Sequence, residues 1–190
     1  MEYIPIVKQL VAIIKNQTDL KFKSLFEPGS AGHLPHSVSP DGAKNCFALM
    51  EAFPGIIADG NDIDVREGFV NTNGVKIYAG DMYKKLTNIK DKSYDMVLIS
   101  KSLFCANDEQ AQGLIDNAKR IAKKYIVILD FHDETIKSQE VEKGRWKRNY
   151  KLYFPDNKIV VVKSGVPIEW WPGKNYEQYN LESSVLFVYL

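Results

Sequence analysis

The chain of 190 residues contains only two cysteines, Cys46 and Cys105, far apart and without a CxxC pair. That argues against a disulfide framework or a structural zinc site and fits a reducing compartment. A dominant sign of charge is missing too. With 25 basic and 24 acidic side chains the net charge is +1, so no global field draws the protein onto nucleic acid or an anionic membrane. No apolar run approaches the roughly 18 to 20 residues of a membrane span. The opening MEYIPIVKQLVAIIKN has an early acid, an internal Lys8 and no small-residue cleavage site, unlike a signal peptide. The expected location is the cytoplasm. Neither GxGxxG nor GxxxxGK[ST] occurs, so the usual cradles for dinucleotides and nucleoside triphosphates are lacking.

What is present is ordinary for a folded protein. Hydrophobic residues make up 45% and charged residues 26%, which suits one core and predicts a single domain over 1–190. Tyr3, Val7, Leu10, Val11 and Ile14 recur at helical spacing, predicting an N-terminal helix within 1–19. Short apolar runs follow at Phe22–Phe26, Ile56–Ala58, Val75–Tyr78, Met96–Ile99 and Tyr125–Leu129. Most are continuous rather than alternating, as in strands covered on both faces. Helical patterns lie between them at Ala43–Phe53, Val65–Val70 and Asp108–Lys124. The alternation predicts an α/β, Rossmann-like open sheet, mostly parallel, with helices on both faces. Lys158–Lys163 and Ser184–Leu190 are predicted to form an antiparallel C-terminal strand pair at the sheet edge.

In such sheets ligands bind beyond the carboxyl ends of the strands. The segments after the five runs are polar: EPGSAGH, DGNDID, AGDM, SKSLF and DFHDE. Glu27 would repel a pyrophosphate but suits a cationic amine or sulfonium, while Gly29 and Gly32 allow close backbone approach. Asp62 is placed to accept from ribose hydroxyls. Asp81 can accept from an adenine amino group with Met82 against the ring, and Ser100 closes the fourth run. Each residue has a plainer reading as a turn residue, strand end or helix cap. Taken in order, they describe an adenosine with a positive neighbour and no phosphates. Asp95, at the start of its strand, is expected to be structural.

That order resembles the class I S-adenosylmethionine-dependent methyltransferases, in which an E/DxGxGxG turn, an acid, a GD-like pair and a YDMV-like strand follow one another. Here the matches are EPGSAG, GNDID, AGDM and SYDMVLIS, from about Leu20 onward. The likeness implies S-adenosylmethionine as cofactor, with Glu27 and Gly29 at its methionine part, Asp62 at the ribose, and Asp81 with Met82 at the adenine. Ala31 replaces the middle glycine and His33 stands where a third often sits. The long interval from Gly29 to Asp62 predicts an extra loop at Leu34–Asp41.

The expected acceptor is a small-molecule or glycan hydroxyl, with RNA as the alternative. His132, oriented by Asp133 or Asp130, is the candidate general base. Asp130, His132 and Asp133 could also hold a divalent metal, although no metal is assigned. His33, His36, Arg145, Trp170 and Trp171 are candidate acceptor contacts, the last three within insertions near 143–155 and 164–183. KGRWKRNYKLYF is basic enough to meet an acidic acceptor. Cys105 reads as a small packed hydrophobe. Two further readings stay open: a non-catalytic nucleoside- or partner-binding domain, and an NAD-dependent oxidoreductase.

Overall fold

The computed structural model describes residues 5–30, 43–63, 69–70, 74–165 and 183–190. In chain order the elements are α1 (Pro5–Asn16), β1 (Ser24–Pro28), α2 (Lys44–Ala52), β2 (Ile57–Asp62), β3 (Phe69–Val70), β4 (Lys76–Ala79) and β5 (Tyr94–Ser100). There follow α3 (Asp108–Ile121), β6 (Ala122–Phe131), β7 (Ser138–Glu142), β8 (Arg145–Arg148), a 3₁₀ turn at Tyr150–Tyr153, β9 (Lys158–Lys163) and β10 (Ser183–Tyr189).

Eight strands form one sheet in the order β3-β4-β2-β1-β5-β6-β10-β9. The pairs from β4 through β6 are all parallel, and β10 runs antiparallel to both β6 and β9. This is a Rossmann-like, mostly parallel sheet with an antiparallel C-terminal pair, of which β9 forms the edge. The order reverses between β1 and β5, the kind of switch point where open α/β sheets gather ligands.

The continuous apolar runs follow from burial on both faces. Leu25, Met96, Leu98, Val127, Leu129, Val185 and Phe187 face one core with the apolar sides of α1 and α2. Their strand neighbours Phe26, Val97, Ile99, Ile126, Ile128, Leu186 and Val188 face a second core with α3. A period of two therefore persists, although both phases are apolar.

Helix α3 is specified locally. Asn107 caps it, accepting from the Gln110 amide at 2.9 Å, and the Gln110 side chain accepts from the Asn107 amide at 2.9 Å. Asp108 and Glu109 in its first turn and Lys119 and Arg120 in its last oppose the helix dipole. Two expectations need correcting. The helix ends at Ile121 rather than Lys124, because the chain enters β6 at Ala122 with no intervening loop. Within Val65–Val70, Phe69–Val70 is a strand antiparallel to β4, so tertiary pairing overrides the apparent helical spacing there.

Asp95 is structural, as its strand position implies. Its carboxylate accepts from the Lys23 amide at 2.8 Å and lies 3.3 Å from the Lys124 ammonium, tying the amino ends of β1, β5 and β6 together. Among the described residues no helix is long and apolar enough to cross a membrane.

Candidate functional site

Glu27, Asp62 and Asp81 stand at or just past the carboxyl ends of three adjacent parallel strands, β1, β2 and β4. Glu27 is 4% exposed; Asn45 of α2 donates to one carboxylate oxygen at 2.6 Å, and the Cys46 thiol donates to the other at 3.3 Å. Burial pushes the Glu27 pKa up from 4.5 to about 7, partly opposed by those hydrogen bonds and by the charge of Lys101. Gly29 has φ +67°, and a Cβ there would lie 2.7 Å from Met82 Sδ and 3.1 Å from Ser102 Oγ. The positive φ favours glycine, and a side chain there would also displace the flexible Met82 thioether and crowd Ser102.

The Ser30 amide donates to the Asn61 carbonyl at 3.0 Å, and the Ala43 amide to the Ser30 carbonyl at 2.7 Å. The long excursion between β1 and α2 is thus closed at its base. Ser30 Oγ and Asn61 Oδ1 are buried and have no hydrogen-bond partner among the described residues. Asn61 Nδ2 donates to the Gly80 carbonyl at 2.8 Å, and the Gly80 amide to the Asp62 carbonyl at 3.0 Å. Buried polar atoms left open beside a glycine turn are what a polar ligand can satisfy.

Asp81 is half-buried and accepts from the Tyr83 amide at 2.9 Å, with the Lys84 ammonium at 3.9 Å. Its loop is fixed to α3. The buried Asn117 donates to the carbonyls of Met82 at 3.0 Å and Lys84 at 2.6 Å, and Gly113 lets the Tyr83 carbonyl approach closely. The Tyr83 hydroxyl donates to the Ser102 carbonyl at 3.1 Å, linking this loop to the one after β5. Ser100 ends β5, and its carbonyl accepts from Ser102 Oγ at 3.4 Å.

Beyond β6 the arrangement differs from the expectation. The His132 side chain is 3% exposed and stacks on Tyr150; Nδ1 accepts from the Tyr150 amide at 3.2 Å, and Nε2 lies 3.5 Å from a Glu134 oxygen. It is therefore an interior ring rather than a rim base, and burial lowers its pKa. Asp133 does not orient it. That carboxylate accepts from the Thr135 amide and hydroxyl at 2.9 and 2.7 Å and from Lys147 at 2.9 Å, which holds its pKa down at about 2. Asp130 accepts instead from the amides of Phe104 and Phe131 at 2.9 and 2.7 Å. Among the described residues no cluster of three or more metal-binding side chains converges.

The basic segment supplies the turn and second strand of the hairpin β7–β8 and the 3₁₀ turn after it, and most of its charge is tied to groups of the fold. Arg148 is fully buried, donating to Asp108 at 3.0 Å and to the carbonyls of Leu103 and Ala106 at 2.8 and 2.5 Å. Lys147 pairs with Asp133, Lys151 with Glu134 at 2.7 Å, and the Arg145 guanidinium sits 5.6 Å over the Phe104 ring. Arg145 is thus seated on the loop after β5, beside the strand ends. Cys105 is half-buried and its thiol pKa is raised, consistent with packing. Gly32, His33, His36, Trp170, Trp171 and the loop Leu34–Asp41 lie outside the described residues.

Sequence reasoning missed one group, Lys101. It follows β5 directly with φ 65°, and its ammonium is attracted by the buried carboxylates of Asp130 and Glu27 on the flanking strands. Its adjacency to SYDMVLIS was the only available signal.

A sheet of this order, with acids crowning β1, β2 and β4 and a glycine turn between them, defines the class I methyltransferase fold. The chain belongs to the MetW family: the model for methionine biosynthesis protein MetW matches residues 49–182. Among solved structures it is similar to magnesium protoporphyrin IX methyltransferase from Synechocystis, determined with bound SAM. The TM-score is 0.57 at 14% identity, over 96% of this chain and 77% of that one. Human N-acetylserotonin methyltransferase, in complex with SAM, gives 0.60 at 15% identity over 97% of this chain and 51% of that one. The 1,6-didemethyltoxoflavin N1-methyltransferase of Burkholderia thailandensis, with S-adenosylhomocysteine, gives 0.62 at 9% identity over 97% and 78%. No curated protein matches the sequence.

Proposed function

We propose that the chain is an S-adenosylmethionine-dependent methyltransferase acting on a small-molecule or glycan hydroxyl. The observation that carries the reading is the row of acids on β1, β2 and β4 around a glycine turn with unpartnered buried polar atoms. Bound there, S-adenosylmethionine would supply an electrophilic methyl group. Glu27 and Gly29 would hold its amino-acid end, Asp62 the ribose, and Asp81 with Met82 the adenine. Neighbours crystallised with SAM or S-adenosylhomocysteine support this assignment.

Transfer of a methyl group depends above all on proximity and alignment. The chain's contribution is a fixed frame: Asn117 anchors the Met82–Lys84 backbone, and the β7–β8 hairpin braces the loop after β5. The acceptor would lie beyond β5 and β6, near Arg145. RNA is disfavoured as acceptor, because Arg148 is buried and Lys147 and Lys151 are paired with acids.

One observation favours a second reading, a nucleoside-binding domain without turnover: His132 and Asp133 are committed to packing and pairing. Incubation with methyl-labelled S-adenosylmethionine and a panel of hydroxyl acceptors separates the two. Label in any acceptor supports the enzyme. Measurable S-adenosylhomocysteine binding with no transfer supports the binding domain, and absence of binding rejects both.

A further inference from the structure

Two buried carboxyl groups flank a half-buried lysine where β1, β5 and β6 end, and the cofactor reading uses only one of the three. Glu27 and Asp130 are 4% and 0% exposed, and Lys101 lies between them in the sheet order. The Lys101 backbone is held by its amide, which donates to the Leu129 carbonyl at 2.8 Å. Its left-handed φ of 65° is disfavoured for any residue bearing a Cβ, and such conformations collect at functional sites. A lysine here costs backbone strain and desolvation together, and the Asp130 and Glu27 carboxylates offset part of that by attracting its charge.

Glu27 faces Asn45 and Cys46 of α2 and Lys101; the Cys46 thiol also lies 3.9 Å from the Asp59 backbone carbonyl of β2. Asp130 faces the Phe104 and Phe131 amides, Arg148 of β8 and Lys101, and its charge reaches Tyr83, Cys105 and Tyr150. Burial drives Glu27 and Asp130 each up to about 7 and Lys101 down to about 8. Near neutrality the cluster therefore holds exchangeable protons.

We propose that Lys101 is a positioning residue that tunes Glu27 for the ammonium end of the cofactor, so that binding the amino-acid half of the nucleoside expels a proton from the Glu27–Lys101–Asp130 cluster. The inference rests on the cofactor reading above. A cation arriving at Glu27 favours its carboxylate and disfavours the Lys101 ammonium, and both effects send a proton to solvent. A ligand that lacks the amino-acid half leaves the cluster unchanged.

Calorimetry near neutral pH, in buffers of different ionisation enthalpy, tests this with S-adenosylhomocysteine and 5′-methylthioadenosine as probes. The first is expected to release roughly half to one proton per site and the second none. In Lys101→Met, Glu27 becomes harder to ionise; one unit of pKa shift weakens S-adenosylhomocysteine about fivefold near pH 7, and affinity recovers near pH 9. Methylthioadenosine affinity stays unchanged, and Lys101→Arg behaves like the wild type. Binding of S-adenosylhomocysteine without proton release overturns the proposal. So does a Lys101→Met loss that is equal for both probes at every pH, which marks a packing role. If the wild type binds neither probe, the cofactor reading itself falls and takes this inference with it.

Discussion

The carboxyl ends of β1, β2 and β4 and the region beyond β6 are both rich in polar groups, yet they treat those groups in opposite ways. At the first, Glu27 is desolvated until its pKa approaches neutrality, and Ser30 Oγ and Asn61 Oδ1 are buried without partners among the described residues. At the second, charges are matched: Arg148 has three acceptors, Lys147 holds Asp133, and Lys151 holds Glu134, although His132 Nε2 and Tyr150 Oη are also buried without hydrogen-bond partners among the described residues. A desolvated carboxyl beside open polar atoms at the strand ends suits a ligand, whereas matched charges mark a clamp. The difference explains why the basic segment, conspicuous in the sequence, contributes to architecture.

Four substitutions sharpen that contrast. Arg148→Ala strikes the clamp hardest, leaving two buried carbonyls and the exposed Asp108 carboxylate without their donor and emptying a buried site, at a cost of about 3–5 kcal/mol. Thermal denaturation is expected to show a fall in Tm on the order of 10 °C. Glu27→Gln acts on the open side with the opposite sign. A carboxyl raised from 4.5 to about 7 on folding is protonated in both states at low pH, and the native protein loses stability as pH rises through 7. The glutamine variant should therefore be more stable near pH 7.5 by on the order of 2–3 kcal/mol, with little change near pH 4. Melting curves at the two pH values check the sign.

Asp62→Ala is expected to weaken S-adenosylhomocysteine by more than about tenfold, about 1.4 kcal/mol, while Tm barely moves. Calorimetry giving wild-type affinity removes Asp62 from the site. Lys147→Ala, which breaks a partly exposed pair, should cost less than about 1 kcal/mol, and less again in high salt. A larger loss there would mean that the clamp depends on its rim as much as on Arg148.

Much of the sheet was legible because its strands are buried on both faces and read as unbroken apolar runs, each followed by polar residues. The pairing of Lys158–Lys163 with the last strand was legible for another reason: both runs are rich in β-branched or aromatic residues and are preceded by polar ones. The short β3 carried no such run. The β7–β8 hairpin was hidden because its strands, SQEVE and RWKR, are almost wholly polar or charged, and Arg148 is buried only through the loop after β5. His132 misled because a strand end usually meets solvent, and nothing local foretold Tyr150 folding over the ring. Lys101 escaped because its partners lie on strands that become neighbours only once the sheet order is known.

Cofactor choice depends on the strand-end acids preferring a cationic, phosphate-free nucleoside. Thermal denaturation of the wild-type chain with S-adenosylhomocysteine and, separately, with NAD tests that preference most directly, because a ligand that binds only the native state raises Tm. A rise with S-adenosylhomocysteine and none with NAD is the predicted result. A rise with NAD and none with S-adenosylhomocysteine would contradict it.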